Sequence, residues 1–305
     1  LEVDETGCYA TTTQELIVNP IPTVLVGPTY EVCDDDYDGI GSYDLSTLDE
    51  TLLDGQTGVS ISYYESQEDA DNATNVLDVN YQNTVPDNQT LYVRLEVDET
   101  GCYATTTQEL IVHPLPEIIV PTPLEECDDD YDGIVSFFDL SQKTEEILNG
   151  QTGISVSYYE TLFNAESGEN PIEGLYTNIE ADTQTLHVRL EVDETGCYAT
   201  TTQDLIVNPI PNYVDIIDQI LCTDTPGFFD ILLSDYDVQV LNGQNPDQYT
   251  ITYHTSIDDA ENGVNPLENA YTVVDQVDLF VRVQDNVTGC YLSLIHISEP
   301  TRPNC

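Results

Sequence analysis

The segment LEVDETGCYATTTQ stands at residues 1–14, again at 95–108 and again at 190–203. A diverged copy, VRVQDNVTGCY, ends at Tyr291. Its cysteine sets a frame at Cys8, Cys102, Cys197 and Cys290, and a second series follows at Cys33, Cys127 and Cys222. The period of about 95 residues exceeds one helical-solenoid unit and suits a whole β-sandwich domain of about 100 residues.

Other landmarks keep register. CDDDYDG at 33–39 recurs at 127–133, and SYYE at 62–65 recurs at 157–160. Proline pairs at 19–23, 113–117 and 208–212 read as extended, semi-rigid linkers. Modules are therefore expected at 20–113, 114–208 and 209–291, with residues 1–19 as the last strand of a truncated module.

Alternation with a period of two predicts strands. Leu91, Val93, Leu95 and Val97 share one face in module one, as do Leu186, Val188, Leu190 and Val192 in module two. Val277, Leu279, Val281 and Val283 do so in module three. An earlier strand carries Val59, Ile61 and Tyr63, and a short helix is expected at 46–53 behind a Ser46 cap. The fold class is all-β: tandem immunoglobulin-like β-sandwich modules with short helical turns.

Residues 292–302, LSLIHISEPTR, fit no repeat and resemble the in-frame translation of a sequencing adapter. They predict an artefactual tail at 292–305, which includes His296 and Cys305, and a third module without its last strand.

The 305 residues hold 58 acidic and 5 basic side chains, a formal charge of −53. That balance argues against nucleic acid and against insertion into or docking on anionic membranes, and it favours divalent cations. No apolar run is long enough to span a bilayer.

The cysteines admit two pairing schemes. Pairing across linkers, Cys8–Cys33, Cys102–Cys127 and Cys197–Cys222, would ask some 25 mostly extended residues to bring their ends together. Pairing within modules, Cys33–Cys102, Cys127–Cys197 and Cys222–Cys290, with Cys8 left over, is the expectation. Without CxxC pairs or nearby histidines, zinc is disfavoured. Disulfides place the chain in an oxidising compartment.

Asp34, Asp36 and Asp38 before Gly39, and Asp128, Asp130 and Asp132 before Gly133, follow D-x-D-x-D-G. Alternate carboxylates on a tight loop can converge on a hard cation, with Ile40 and Ile134 offering carbonyls and Asp44 and Asp139 standing near the place of the missing bidentate glutamate. Two readings stand: a structural calcium site or a plain acidic turn. Module three has CTDTPGF there and has lost the ligands.

No nucleophile elbow, phosphate loop or HExxH motif occurs, and His113, His187 and His254 do not recur between modules, so the chain reads as no enzyme. Arg94, Arg189 and Arg282 hold one repeated position, expected to pair with neighbouring carboxylates. Tyr63–Tyr64 and Tyr158–Tyr159 read as one core ring and one surface ring, the outer one a glycan-stacking candidate.

The run CDDDYDGI…YDLS/FDLS, the mid-module SYYE and the VRLEVDETGCYATTTQELIV-type endings resemble tandem modules of large type IX-secreted surface adhesins of Bacteroidota, including gliding-motility adhesins. The resemblance implies export to the bacterial outer surface. Two functions follow: a non-catalytic stalk whose partners are neighbouring modules of the same chain, or modules that themselves bind surface glycans or proteins. An accessory array on a secreted polysaccharide hydrolase is a third.

Overall fold

The computed structural model describes residues 2–3, 6, 8–212, 229–274 and 277–298. A hairpin of β1 (Glu2–Val3) and β2 (Cys8–Tyr9) opens the chain. Residues 10–29 carry no regular secondary structure.

Module one contains β3 (Tyr30–Cys33), β4 (Ser42–Asp44), α1 (Asp49–Leu53), β5 (Val59–Tyr64), α2 (Gln67–Asn72), β6 (Asn80–Gln82), β7 (Asn88–Val97) and β8 (Tyr103–His113). One sheet has the order β3-β8-β7-β5, and β4 pairs with β6 in a second. This is the immunoglobulin arrangement, in which strands C, F and G form one layer and B and E the other. The first strand lies parallel to the last, Tyr30 opposite Leu110 and Cys33 opposite His113.

Module two repeats the order with β9 (Leu124–Cys127), α3 (Thr144–Leu148), β10 (Ile154–Tyr159), α4 (Leu162–Ser167), β11 (Thr183–Val192) and β12 (Tyr198–Asn208). Module three has β13 (Phe229–Leu232), α5 (Asp237–Leu241), β14 (Tyr249–His254), α6 (Ile257–Asn262), β15 (Ala270–Val273), β16 (Asp278–Asp285) and β17 (Tyr291–Ser298).

The alternating residues build the cores. Leu91, Val93 and Leu95 are fully buried with Leu45, Leu52 and Leu110, and Leu186, Val188 and Leu190 occupy the same place in module two. Leu279, Val281 and Val283 do so in module three.

Three expectations change. The helix begins as a 3-10 turn, Leu45–Leu48, capped by Asp44 instead of Ser46: the Asp44 carboxylate accepts the Ser46 N–H at 3.1 Å. The backbone enters the turn one strand-end earlier than the leucine spacing implied.

Module three does not lack a last strand. β17 pairs antiparallel with β16, Gln284 opposite Tyr291 and Phe280 opposite Ile295. Ladder hydrogen bonds are backbone bonds, so an extended segment rich in β-formers can cover an edge without the repeat's sequence. Residues 299–305 of the expected tail lie outside the described residues.

Both tyrosines of each pair are buried: Tyr63 is 4% exposed and Tyr64 1%, Tyr158 6% and Tyr159 3%. Helix α2 packs on β5 and β7 and covers the ring that alternation alone assigned to solvent. The outer-ring glycan platform is therefore absent at these positions.

Candidate functional site

The chain forms two compact units: Leu1–Glu117 with Glu191–Ala199, and Ile118–Leu190 with Thr200–Cys305. The turn between β11 and β12 thus belongs with module one. The bond responsible is Cys33–Cys197, with Cα atoms 5.5 Å apart. Its counterpart in the other unit is Cys127–Cys290, also at 5.5 Å. Each joins the first strand of one module to the last hairpin turn of the next.

The within-module pairs Cys33–Cys102, Cys127–Cys197 and Cys222–Cys290 are thereby overturned. The parallel register is the cause. Cys33 lies opposite His113, at the far end of the 11-residue strand that Cys102 precedes. At about 3.3 Å per residue the two cysteines of module one stand more than about 30 Å apart, against the roughly 7 Å limit of a disulfide. The second module repeats the register, Cys127 opposite Asn208. Cys8 and Cys102 carry free thiols, and Cys222 lies outside the described residues.

Directly after Cys33 runs the acidic loop. The carboxylate of Asp34 accepts the N–H groups of Asp36 at 3.1 Å, Tyr37 at 3.0 Å and Gly39 at 2.9 Å. Burial pushes this carboxyl up, but the amides of Gly39, Asp36 and Tyr37 outweigh it and hold it below the usual range. Asp36 is raised by burial and by the neighbouring Asp38 and Asp35 charges. The loop of Asp128, Asp130 and Asp132 has the same geometry and the same two directions.

In each loop the three alternate aspartates bring carboxylate oxygens within 4.8 Å of one another, a donor set that could hold a metal ion. Asp44 and Asp139 stand outside both clusters, because each caps a helical turn by accepting from Ser46 and Ser141. Ile40 and Ile134 give their N–H groups to Asp38 and Asp132, both at 2.7 Å.

Sequence reading missed two residues of this loop. Asn83, 3% exposed, donates to the carbonyls of Gly39 and Val85 and accepts from Gly41 at 2.6 Å. Asn178 repeats the brace in module two. Their shared register in YQNT and YTNI was the available signal. Tyr37 donates its hydroxyl to the Pro116 carbonyl at 2.9 Å, and Tyr131 to that of Pro211 at 2.7 Å. Loop, linker and disulfide thus meet at one end of the module.

Gly39 sits at φ +76°, and a Cβ there would lie 2.7 Å from the Asp87 carboxylate and 3.1 Å from the Asp87 backbone nitrogen. Gly39→Ala is expected to destabilise module one by roughly 1–3 kcal/mol, measured by denaturant melting, whereas Gly55→Ala, facing open space, bears the backbone strain alone. Asp34→Asn has a pH signature. A carboxyl whose folded pKa is depressed contributes stability above its unfolded value, near 3.8, and loses it as pH falls through the lower folded value. The stability gap between wild type and Asp34→Asn should be full at neutral pH and shrink below about pH 4; a gap constant with pH would contradict the assignment.

Arg94 does more than pair with a carboxylate. It bonds Glu96 on its own strand at 2.5 Å, the carbonyls of Ala70 and Asp71 at 2.9 and 3.1 Å, and stacks 3.5 Å over the Tyr103 ring. Arg282 binds the carbonyls of Ala260 and Glu261 at 3.0 and 2.7 Å and stacks on Tyr291. Arg189 binds those of Ala165 and Glu166. The repeated arginine is a clamp on the last turn of the helix after SYYE.

Tandem immunoglobulin-like modules, each bonded through a disulfide to the next, define the class. The family model of the Flavobacterium inter-domain disulphide bond domain matches residues 29–116, 123–211 and 218–297, and the chain belongs to that family. Among solved structures it is similar to a three-immunoglobulin titin fragment, I67–I69, at 10% identity over 92% of this chain and 98% of that one, with a TM-score of 0.33. It is also similar to extracellular domains 3–5 of Drosophila OTK, at 10% identity over 93% and 100%, with a TM-score of 0.22. No curated protein matches.

Proposed function

We propose that the chain is a non-catalytic spacer, a run of stalk modules from an extracellular surface adhesin whose primary partners are its own neighbouring modules. The carrying observation is the cross-module disulfide pair, Cys33–Cys197 and Cys127–Cys290. A bond from each module to the next fixes a joint that a flexible linker would leave free, and it requires an oxidising exterior. The strong negative charge keeps such modules apart and soluble.

Calcium fits the same role as a structural ligand of the acidic loops. Asp36 is raised partly by the Asp38 charge, a repulsion that a divalent cation relieves. Millimolar calcium should raise the melting temperature over chelator, and Asp36→Asn with Asp130→Asn should abolish the rise; an identical melt in calcium and chelator would sink the calcium reading.

The spacer reading is tested with spin labels at the exposed Asn72 and Asn262. A single narrow distance distribution in the oxidised chain supports a fixed spacer, and a broad one like that of a flexible tether overturns it.

A further inference from the structure

The two disulfides close overlapping loops. Cys33–Cys197 spans 164 residues and Cys127–Cys290 spans 163, and they share the stretch from 127 to 197. We infer that this overlap makes the array a tension-carrying covalent thread, in which force passes from module to module through the disulfides and module unfolding adds little length. The inference rests on the spacer reading for its purpose, but its physics rests on the connectivity alone.

A loop of 164 residues, stretched at roughly 3.4 Å per residue, spans about 560 Å, yet its ends are held with Cα atoms 5.5 Å apart. Tension along the chain takes the shortest covalent route. From residue 1 that route reaches Cys33, crosses to Cys197, returns to Cys127, crosses to Cys290 and leaves: about 120 residues of backbone, or roughly 400 Å.

With either bond alone the route is about 140 residues, or roughly 500 Å, and with neither it is the whole chain, roughly 1,000 Å. The two bonds are therefore redundant. Losing one costs little, and losing both releases everything.

On the taut path of this chain lies the stretch from Cys127 to Cys197, which includes β11, a strand hydrogen-bonded on both sides in its sheet. Where such modules continue with the same bonds, each turn cysteine leads on to a first-strand cysteine about 25 residues later, the spacing of Cys197 and Cys222, and two interleaved threads of such short segments result.

The test is single-molecule stretching between handles at the two termini, with free thiols alkylated beforehand, reading the final contour length. That length does not depend on whether a variant folds stably. The oxidised chain should stop at roughly 400 Å, Cys33→Ser/Cys197→Ser and Cys127→Ser/Cys290→Ser each at roughly 500 Å, and the reduced chain at roughly 1,000 Å. An oxidised chain that reaches the reduced length overturns the inference. So does an additive pattern, in which each lost bond adds some 240 Å, as loops of about 70 residues closed within modules would give. A broad label distribution with the predicted contour lengths would sink the spacer reading and leave the thread intact.

Discussion

Reduction of both disulfides is expected to lower the melting temperature of the chain by about 10–20 °C. In the chain-entropy picture a closed loop of some 160 residues restrains the unfolded state by up to about 5 kcal/mol, and a domain of this size shifts by about 2–4 °C per kcal/mol. The loops overlap, but the restraint depends only logarithmically on loop length, so the second bond adds nearly as much as the first, each delivering typically about 2–4 kcal/mol. Each single-bond variant should therefore melt about midway between the oxidised and the reduced chain. Calorimetry with and without reductant gives the result, and an unchanged melt on reduction would mean the bonds restrain nothing.

Arg94→Met is expected to be strongly destabilising. The side chain is 8% exposed and serves two helix carbonyls, the Glu96 carboxylate and the Tyr103 ring at once. Methionine keeps the apolar stem and removes every polar contact. Breaking a buried, hydrogen-bonded charge pair costs about 3–5 kcal/mol; because Glu96 is partly open to water, about 3 kcal/mol is expected. Arg282→Met, whose carboxylate is replaced by Gln284, should cost less. Denaturant melting of module one measures the first. A change below about 1 kcal/mol would mean the clamp is ornamental.

The β-sandwich class, the three cores and the repeat frame were legible because alternation is local: Leu91, Val93 and Leu95 declare their face within five residues. The disulfides were not legible. Whether Cys33 meets Cys102 depends on which end of β8 its strand lies beside, and a parallel pairing between residues some 80 apart leaves no mark in either strand. The same limit hid the burial of Tyr64, which depends on where α2 folds back, and the strand at 291–298, which pairs with β16 although its sequence departs from the repeat. The acidic loop was partly legible. Its three alternate aspartates converge as the motif implied, but Asp44 and Asp139 were claimed by helix capping, an interaction that outranks a distant ligand place.

All of this turns on the cross-module bonds. Non-reducing digestion of the alkylated, oxidised chain, followed by mass spectrometry, assigns them directly. The hairpin segments of modules one and two share one sequence through Gln108 and Gln203, and Glu109 against Asp204 and His113 against Asn208 tell them apart. Crosslinked peptides Cys33–Cys197 and Cys127–Cys290 are expected, with Cys102 alkylated. Recovery of Cys33 joined to Cys102 would contradict that pairing.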